Sequence, residues 1–458
     1  MNRYFATDAL LPAGWRRDVT IDVTDGGDIA AVGVSTSQPR EAVRLAGPVM
    51  PGMANLHSHA FQRAMAGLTE VRESPSDDFW SWRELMYRFV ARLTPELAHD
   101  VARHLYVEML RNGYTAVAEF HYVHNDADGQ RYADDAQMLL AHLTAAREAG
   151  LAATMLPVLY RWSNFGCKPL QPRQRRFDTD PARVLAMVDA VRREASRDPD
   201  VRAGVAPHSL RAVDPGSLRE LLAGIAAIDA SAPVHVHAAE QVREVDDCIA
   251  ATGLRPVEWL LATQPVDARW CLVHATQMTA QETDALARSG AIAGLCPSTE
   301  GNLGDGVFPL LAYRAAGGRY GIGGDSHVSR DPAEELRLLE YVQRLLARRR
   351  NLVVGETSAA VGTTLWSETA AAGAQALGRP MGAIAAGCRA DLLVLDAAAP
   401  DLAGRSGDAI ANALVFCGEP GLVRDVMVGG RWVVRDRVHP LHETSRAAFG
   451  RAVRRLLD

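Results

Sequence analysis

Short apolar runs separated by amphipathic stretches organise most of this chain. One run ends in Asn55-Leu56-His57-Ser58-His59, and others follow at residues 115–120, 153–159, 203–206, 234–237, 272–274, 292–295 and 320–324. Between them, segments such as 180–196 and 331–349 carry apolar residues at helical spacing with charges on the opposite side. Eight strand-like runs alternating with helices predict an α/β fold in which a parallel sheet closes as a (β/α)8 TIM-type barrel.

The two ends read differently. Residues 1–49 alternate as short strands, with Val19-Thr20-Ile21-Asp22-Val23 and a run at 29–34 separated by the turn Asp25-Gly26-Gly27-Asp28. From about Arg379 the pattern returns to β, with a run at 390–396 and a hairpin over 426–434 around Gly429-Gly430. The expected organisation is a discontinuous β-sandwich domain from 1–49 and 379–445, a barrel over 50–378, and a C-terminal helix at 446–458.

At 458 residues, with 48% hydrophobic and 23% charged residues, the chain suits a barrel plus a smaller domain. A net charge of -6 with interspersed signs argues against a nucleic-acid partner. The six cysteines are scattered without a CxxC pair, which fits a reducing compartment. The first seventeen residues lack a basic segment followed by a long apolar core, and no stretch reaches about 18 uninterrupted apolar residues. The expectation is a cytoplasmic protein acting on a small molecule, with no membrane partner. Lys168 is the sole lysine.

Chemistry concentrates where the runs end. His57 and His59, two apart on a strand, point the same way and can pinch one metal ion. Further candidates sit at later run ends: His235 and His237, with Glu240 beyond them, then His274, then Asp325 after Gly323-Gly324. Imidazoles and a carboxylate delivered by separate strand ends are the donors of a single-metal site that keeps room for water.

The Pro51-Gly52 entry into His57-x-His59, the strand-five and strand-six histidines, the strand-eight aspartate and the late Gly382-x-Ile384-x-x-Gly387-x-x-Ala390-Asp391-Leu392 segment together resemble the amidohydrolase superfamily. Binuclear members bridge two metals through a carboxylated lysine at the end of strand four. Here that strand ends at Pro207-His208, and Lys168 falls in a loop after strand three. The resemblance therefore implies one divalent metal per subunit, with zinc the expected ion, held by His57, His59, His237 and Asp325. His237 is preferred to His235 because Glu240 follows it in the superfamily's His-x-x-Glu spacing; His235 is expected to be a buried, hydrogen-bonded ring. Glu240, His274 and Asp325 are then the catalytic candidates. The resemblance also implies a homodimer.

Within the superfamily, Asn55-Leu56-His57-Ser58-His59-Ala60-Phe61-Gln62-Arg63 and Pro207-His208-Ser209-Leu210-Arg211 are similar to the branch that hydrolyses N-formimino-L-glutamate to N-formyl-L-glutamate and ammonia in histidine degradation. That likeness implies substrate binding by Gln62, Arg83, Tyr122, His208 and Arg211. A substrate with two carboxylates calls for arginines in forked pairing. Arg83 falls on the apolar side of an expected helix and Arg211 in a loop facing the barrel mouth, whereas the run Phe120-His121-Tyr122-Val123-His124 offers several candidates besides Tyr122. Two rivals stand beside this reading. One is another mononuclear deaminase acting on guanine, cytosine or an adenosine derivative, which would want stacking aromatics and amides in place of paired arginines. The other is a non-catalytic scaffold of the same fold, which would tolerate lost ligands.

Overall fold

A computed structural model describes residues 1–35, 38–71, 79–356 and 358–458. Parallel strands Met53–Ser58, Tyr114–His121 and Ala152–Leu159 lie side by side, with Val201–Ala203 and Ala206–Pro207 both pairing with the third. A second parallel sheet runs Val234–Ala238, Trp270–His274, Ile292–Leu295, Arg319–Ile322. Every residue of Tyr114–His121 and of Ala152–Leu159 is buried, which explains why these strands read as continuous apolar runs. The fourth run, read at 203–206, is two short pieces broken at Gly204-Val205.

The two sheets meet at both margins. Parallel bridges join Val205 to Val234 and Ser209 to His237 on one side, and Ser58 to Asp325 on the other. At the second margin Asp325 N donates to His57 O at 2.9 Å, and His59 N donates to Asp325 O at 3.1 Å. Gly323 permits this approach, since a Cβ there would lie 2.9 Å from the His57 backbone nitrogen.

Helices fill the intervals where the periodicity placed them. Pro181–Ala195 and Pro332–Ala347 each start at an Asp-Pro step, where Asp180 accepts from Arg183 N and Asp331 from Ala333 N. The carboxylates cap free N–H groups, and each proline occupies a position that needs no donor. Among the described residues no helix is long and apolar enough to cross a membrane.

The terminal β segments join in one mixed sheet. Its order is Arg431–Val434, Val423–Val428, Leu392–Leu395, Val49–Pro51, Asn2–Leu11, Gly14–Val23, Ile29–Val34, with Val43–Arg44 also against Asn2–Leu11. Gly429 and Gly430, at φ 52° and 76°, make the tight turn that the sequence placed there. Tyr4 and Trp432 stand four strands apart along this sheet, yet their ring centroids are 5.7 Å apart. A flat sheet with ~4.8 Å spacing would separate them by about 19 Å, so the sheet curls over a core of its own that includes Val19, Ile21, Leu392, Val394 and Met427.

Two elements depart from the sequence reading. Asp408–Phe416, inside the stretch read as β, is a helix that buries Ile410, Ala411, Leu414 and Val415. A short apolar run carries no periodicity long enough to separate helix from strand. The C-terminal helix is His442–Leu457, so it begins ahead of residue 446.

Asp200, buried just before Val201–Ala203, ties the curled sheet to the parallel strands. Its carboxylate lies 3.1 Å from Arg379 Nη2, 2.8 Å from Arg389 Nη2 and 3.0 Å from Arg431 Nη2. Arg379 and Arg389 are themselves buried. Asp200→Ala takes from the buried Arg379 its carboxylate and leaves Arg389 only Asp28 and Gly26 O, and is expected to cost about 3–5 kcal/mol. A urea unfolding midpoint equal to that of the parent would refute this.

Candidate functional site

The strand ends gather the candidate residues at one point. His57 Nε2 lies 3.1 Å from His237 Nε2, and Asp325 Oδ1 lies 3.6 Å from His57 Nε2 and 3.4 Å from His59 Nε2. His274 Nε2 is 3.8 Å from Asp325 Oδ2, and its ring stacks on that of His237 with centroids 5.6 Å apart. Phe120 packs its ring against His57 at 5.0 Å and His237 at 4.5 Å. All of these side chains are buried.

Backbone carbonyls fix the tautomers of two rings. His59 Nδ1 is 2.8 Å from Phe120 O, and His237 Nδ1 is 2.9 Å from His208 O. A carbonyl oxygen only accepts, so each Nδ1 carries the proton and each Nε2 turns a lone pair inward. Burial drives His57 and His237 well below the ordinary imidazole range and His59 to about 3, which leaves all three neutral at pH 7. Burial also lifts Asp325 to about 7, against the pull of His274. Three neutral imidazoles and a carboxyl whose buried donor atoms converge match the donor set of one divalent cation, whose charge would restore the carboxylate.

His274 behaves oppositely to the other rings. Burial pulls it down, but Glu240, the hydrogen-bonded Glu300 and Asp325 outweigh burial and hold it near 10. His274 and Asp325 have φ of 67° and 48°, a left-handed backbone that non-glycine residues hold only when their surroundings compel it. His235, on the same strand as His237, bonds Ala376 O through Nε2 at 2.8 Å. Lys168 is exposed in the loop after Ala152–Leu159, away from the end of the fourth strand.

One cavity is lined by His59, His237, Glu240, His274 and Asp325 together with Gln62, Arg83, Tyr122, His208 and Arg211. Gln62 Nε2 donates to Tyr122 OH at 2.9 Å, and Arg83 Nη2 donates to Tyr160 OH at 3.1 Å. The His208 ring packs against Tyr160 at 4.6 Å and Tyr122 at 5.7 Å. Burial, then the charges of Arg211 and Arg83, keep His208 well below the ordinary imidazole range. The cavity thus pairs the histidine–aspartate cluster with two guanidinium groups.

Sequence reasoning passed over several neighbours. Tyr160, Phe177, Trp82, Met86 and Leu303 also line the cavity. Tyr160 directly follows a strand end, the same signal that found His274. Glu119 stands behind the cluster, accepting from Ser58 Oγ at 2.5 Å, Ala60 N at 2.9 Å and Tyr106 OH at 2.9 Å. Its signal was an ionisable residue inside an apolar run. Glu300, 3.2 Å from His274 Nδ1, follows the strand Ile292–Leu295.

The class of protein follows from comparison with known sequences. Residues 49–433 match the amidohydrolase family, and the chain belongs to it. It is 52% identical over 460 residues to the formimidoylglutamate deiminase of Pseudomonas aeruginosa, covering 100% of both chains. A crystal structure of an amidohydrolase from Brucella melitensis matches with a TM-score of 0.95 at 44% identity, over 100% of each chain. A 5-methylthioadenosine/S-adenosylhomocysteine deaminase of Natronomonas pharaonis is 28% identical over 423 residues, covering 92% of this chain and 89% of its own.

A lysine exposed in a loop away from the donor cluster cannot bridge metals there. Lys168→Gln is therefore expected to leave the metal content per chain unchanged when measured by elemental analysis. A loss of half the metal would show that the lysine does bridge.

Proposed function

We propose that this chain hydrolyses N-formimino-L-glutamate to N-formyl-L-glutamate and ammonia. The observation that carries this reading is the single cavity shared by the histidine–aspartate cluster and by Arg83 and Arg211. A dicarboxylate with a formimino group needs two kinds of recognition, arginine forks for its carboxylates and a Lewis-acidic end for its amidine. Identity of 52% to a formimidoylglutamate deiminase supports the same substrate.

His57, His59, His237 and Asp325 would hold one divalent metal, with zinc as the ion proposed. When bound, such an ion makes hydroxide available near neutral pH by lowering the pKa of water from about 15.7 towards about 7. Arg83 and Arg211 clamp the carboxylates, while Gln62, Tyr122 and His208 shape the space between. Water oxygen adds to the formimino carbon, the bond from that carbon to its terminal nitrogen breaks, and ammonia leaves. Glu240 hands the departing nitrogen its proton, a role worth about 10² to 10⁴ in rate. His274, held charged by its carboxylate neighbours, donates a hydrogen bond to the attacking oxygen. Asp325 takes up one proton of the attacking water, and the second, released from the hydroxyl as the formyl C=O forms, is the one that Glu240 accepts and relays to the departing nitrogen.

The two parallel sheets, with bridges at both margins, are read as one (β/α)8 barrel over 50–378. Residues 1–49 and 379–445 are read as the discontinuous β-sandwich domain and 446–458 as part of the C-terminal helix. Contact between Tyr4 and Trp432 supports that sandwich. Cytoplasmic placement is supported by the buried free thiols Cys248, Cys271 and Cys296. The homodimer rests on the superfamily likeness alone.

Ammonia release by metal-quantified protein is expected to be far greater with N-formimino-L-glutamate than with guanine, cytosine or S-adenosylhomocysteine. Equal or faster turnover of a nucleobase or nucleoside would overturn the assignment. Arg211→Ala should raise KM for formiminoglutamate by about tenfold or more, the value of a lost charge-assisted pair, at unchanged metal content. Loss of metal in this variant would remove Arg211 from substrate recognition.

A further inference from the structure

Glu300 is a buried carboxylate in the first turn of the helix Pro297–Leu303, directly beyond the strand Ile292–Leu295. Its ion-pair partner among the described residues is His274, at 3.2 Å from Oε1 to Nδ1, and the same oxygen accepts from Cys296 N at 2.9 Å. The carboxylate is thus pinned to the backbone at one contact and to the ring at the other. An ionised carboxylate only accepts, so Nδ1 of His274 carries the proton and Nε2 is left to face Asp325 Oδ2, 3.8 Å away.

The local backbone explains why a tether is needed. His274 and Ala275 both lie in the left-handed region, at φ 67° and 49°, so the chain turns sharply where the ring must be aimed. The residue before Glu300 serves the opposite wall. Thr299 Oγ1 donates to Gly324 O at 3.2 Å and accepts from Ser326 N at 3.3 Å, on either side of Asp325. One helical turn therefore holds both His274 and the segment carrying Asp325.

We propose that Glu300 is a positioning residue for the reaction, accepting from His274 Nδ1–H and holding the ring so that its Nε2–H is turned to the reacting centre. This rests on the role given to His274 above. Glu300 does not touch substrate and acts through the ring alone.

The test uses the metal-loaded enzyme and N-formimino-L-glutamate. Glu300→Gln keeps an acceptor for Cys296 N–H but lacks the charge; kcat should fall by about tenfold or more, the scale of a misaligned proton-handling group, with KM within about threefold and metal content unchanged. Glu300→Asp should recover part of the loss, and it carries the test should the glutamine variant not fold. In a His274→Ala background, Glu300→Gln should cause no further loss, because two residues acting as one unit are not additive. In ¹⁵N-histidine spectra, the His274 Nδ1 and Nε2 resonances should shift in Glu300→Gln while those of His59 and His237 stay in place. Full additivity, a change confined to KM, or loss of metal would each overturn the inference. If His274→Ala alone keeps parental kcat, the role of His274 fails and takes this inference with it, whereas an inactive His274→Ala beside a fully active Glu300→Gln sinks Glu300 only.

Discussion

The seam where Met53–Ser58 meets the segment after Arg319–Ile322 is the constraint on which the candidate site depends. Backbone hydrogen bonds between His57, His59 and Asp325 set the first and last of the parallel strands in register, and that register alone brings Asp325 Oδ1 to 3.6 Å from one imidazole and 3.4 Å from another. Three imidazole nitrogens and a carboxyl crowded at one spot, two of the rings turning lone pairs inward, are mutually unfavourable unless something positive joins them. The fold holds them there through carbonyl contacts to the outer ring nitrogens, through the Phe120 ring and through the carboxylate of Glu119 behind Ser58. A cluster this buried and this strained is built by its supports as much as by its own donor side chains.

Specificity has a different physical origin. The donor cluster is chemistry that fits many C–N hydrolases, and the deaminase of Natronomonas pharaonis, at 28% identity, aligns over 92% of this chain. Two arginines, Arg83 and Arg211, line the cavity beside that cluster. Planar nucleobases reward stacking and amide contacts, whereas a flexible dicarboxylate rewards guanidinium forks. Tyr160 belongs to this end of the cavity, since its hydroxyl receives Arg83 and its ring covers His208. Tyr160 thus helps to orient the Arg83 guanidinium.

Much of this was legible along the chain for a simple reason. Parallel strands covered on both sides must be apolar throughout, so a polar residue at the end of such a run stands out, as His57, His237, His274 and Asp325 do. The Asp-Pro steps that start Pro181–Ala195 and Pro332–Ala347 are local signals of the same strength. The helix Asp408–Phe416 was not legible, because a nine-residue segment in which alanines alternate with larger residues suits a strand equally well. Nor was the split of the fourth strand, at which Gly204 packs closely against the Pro233 carbonyl of a distant segment.

The sequence by itself determined which residue types stand at the strand ends, that a bridging lysine is missing from strand four, and that both termini return to β structure. These are properties of spacing and local chemistry, and they survive without knowledge of long-range contacts. Tertiary structure decided which ring nitrogens face inward, that Glu300 reaches His274, that Glu119 braces the first strand, and that the terminal sheet curls until Trp432 meets Tyr4. Each of these depends on a register or a curvature between distant segments, and no pattern of neighbours along a chain encodes the position of one strand against another.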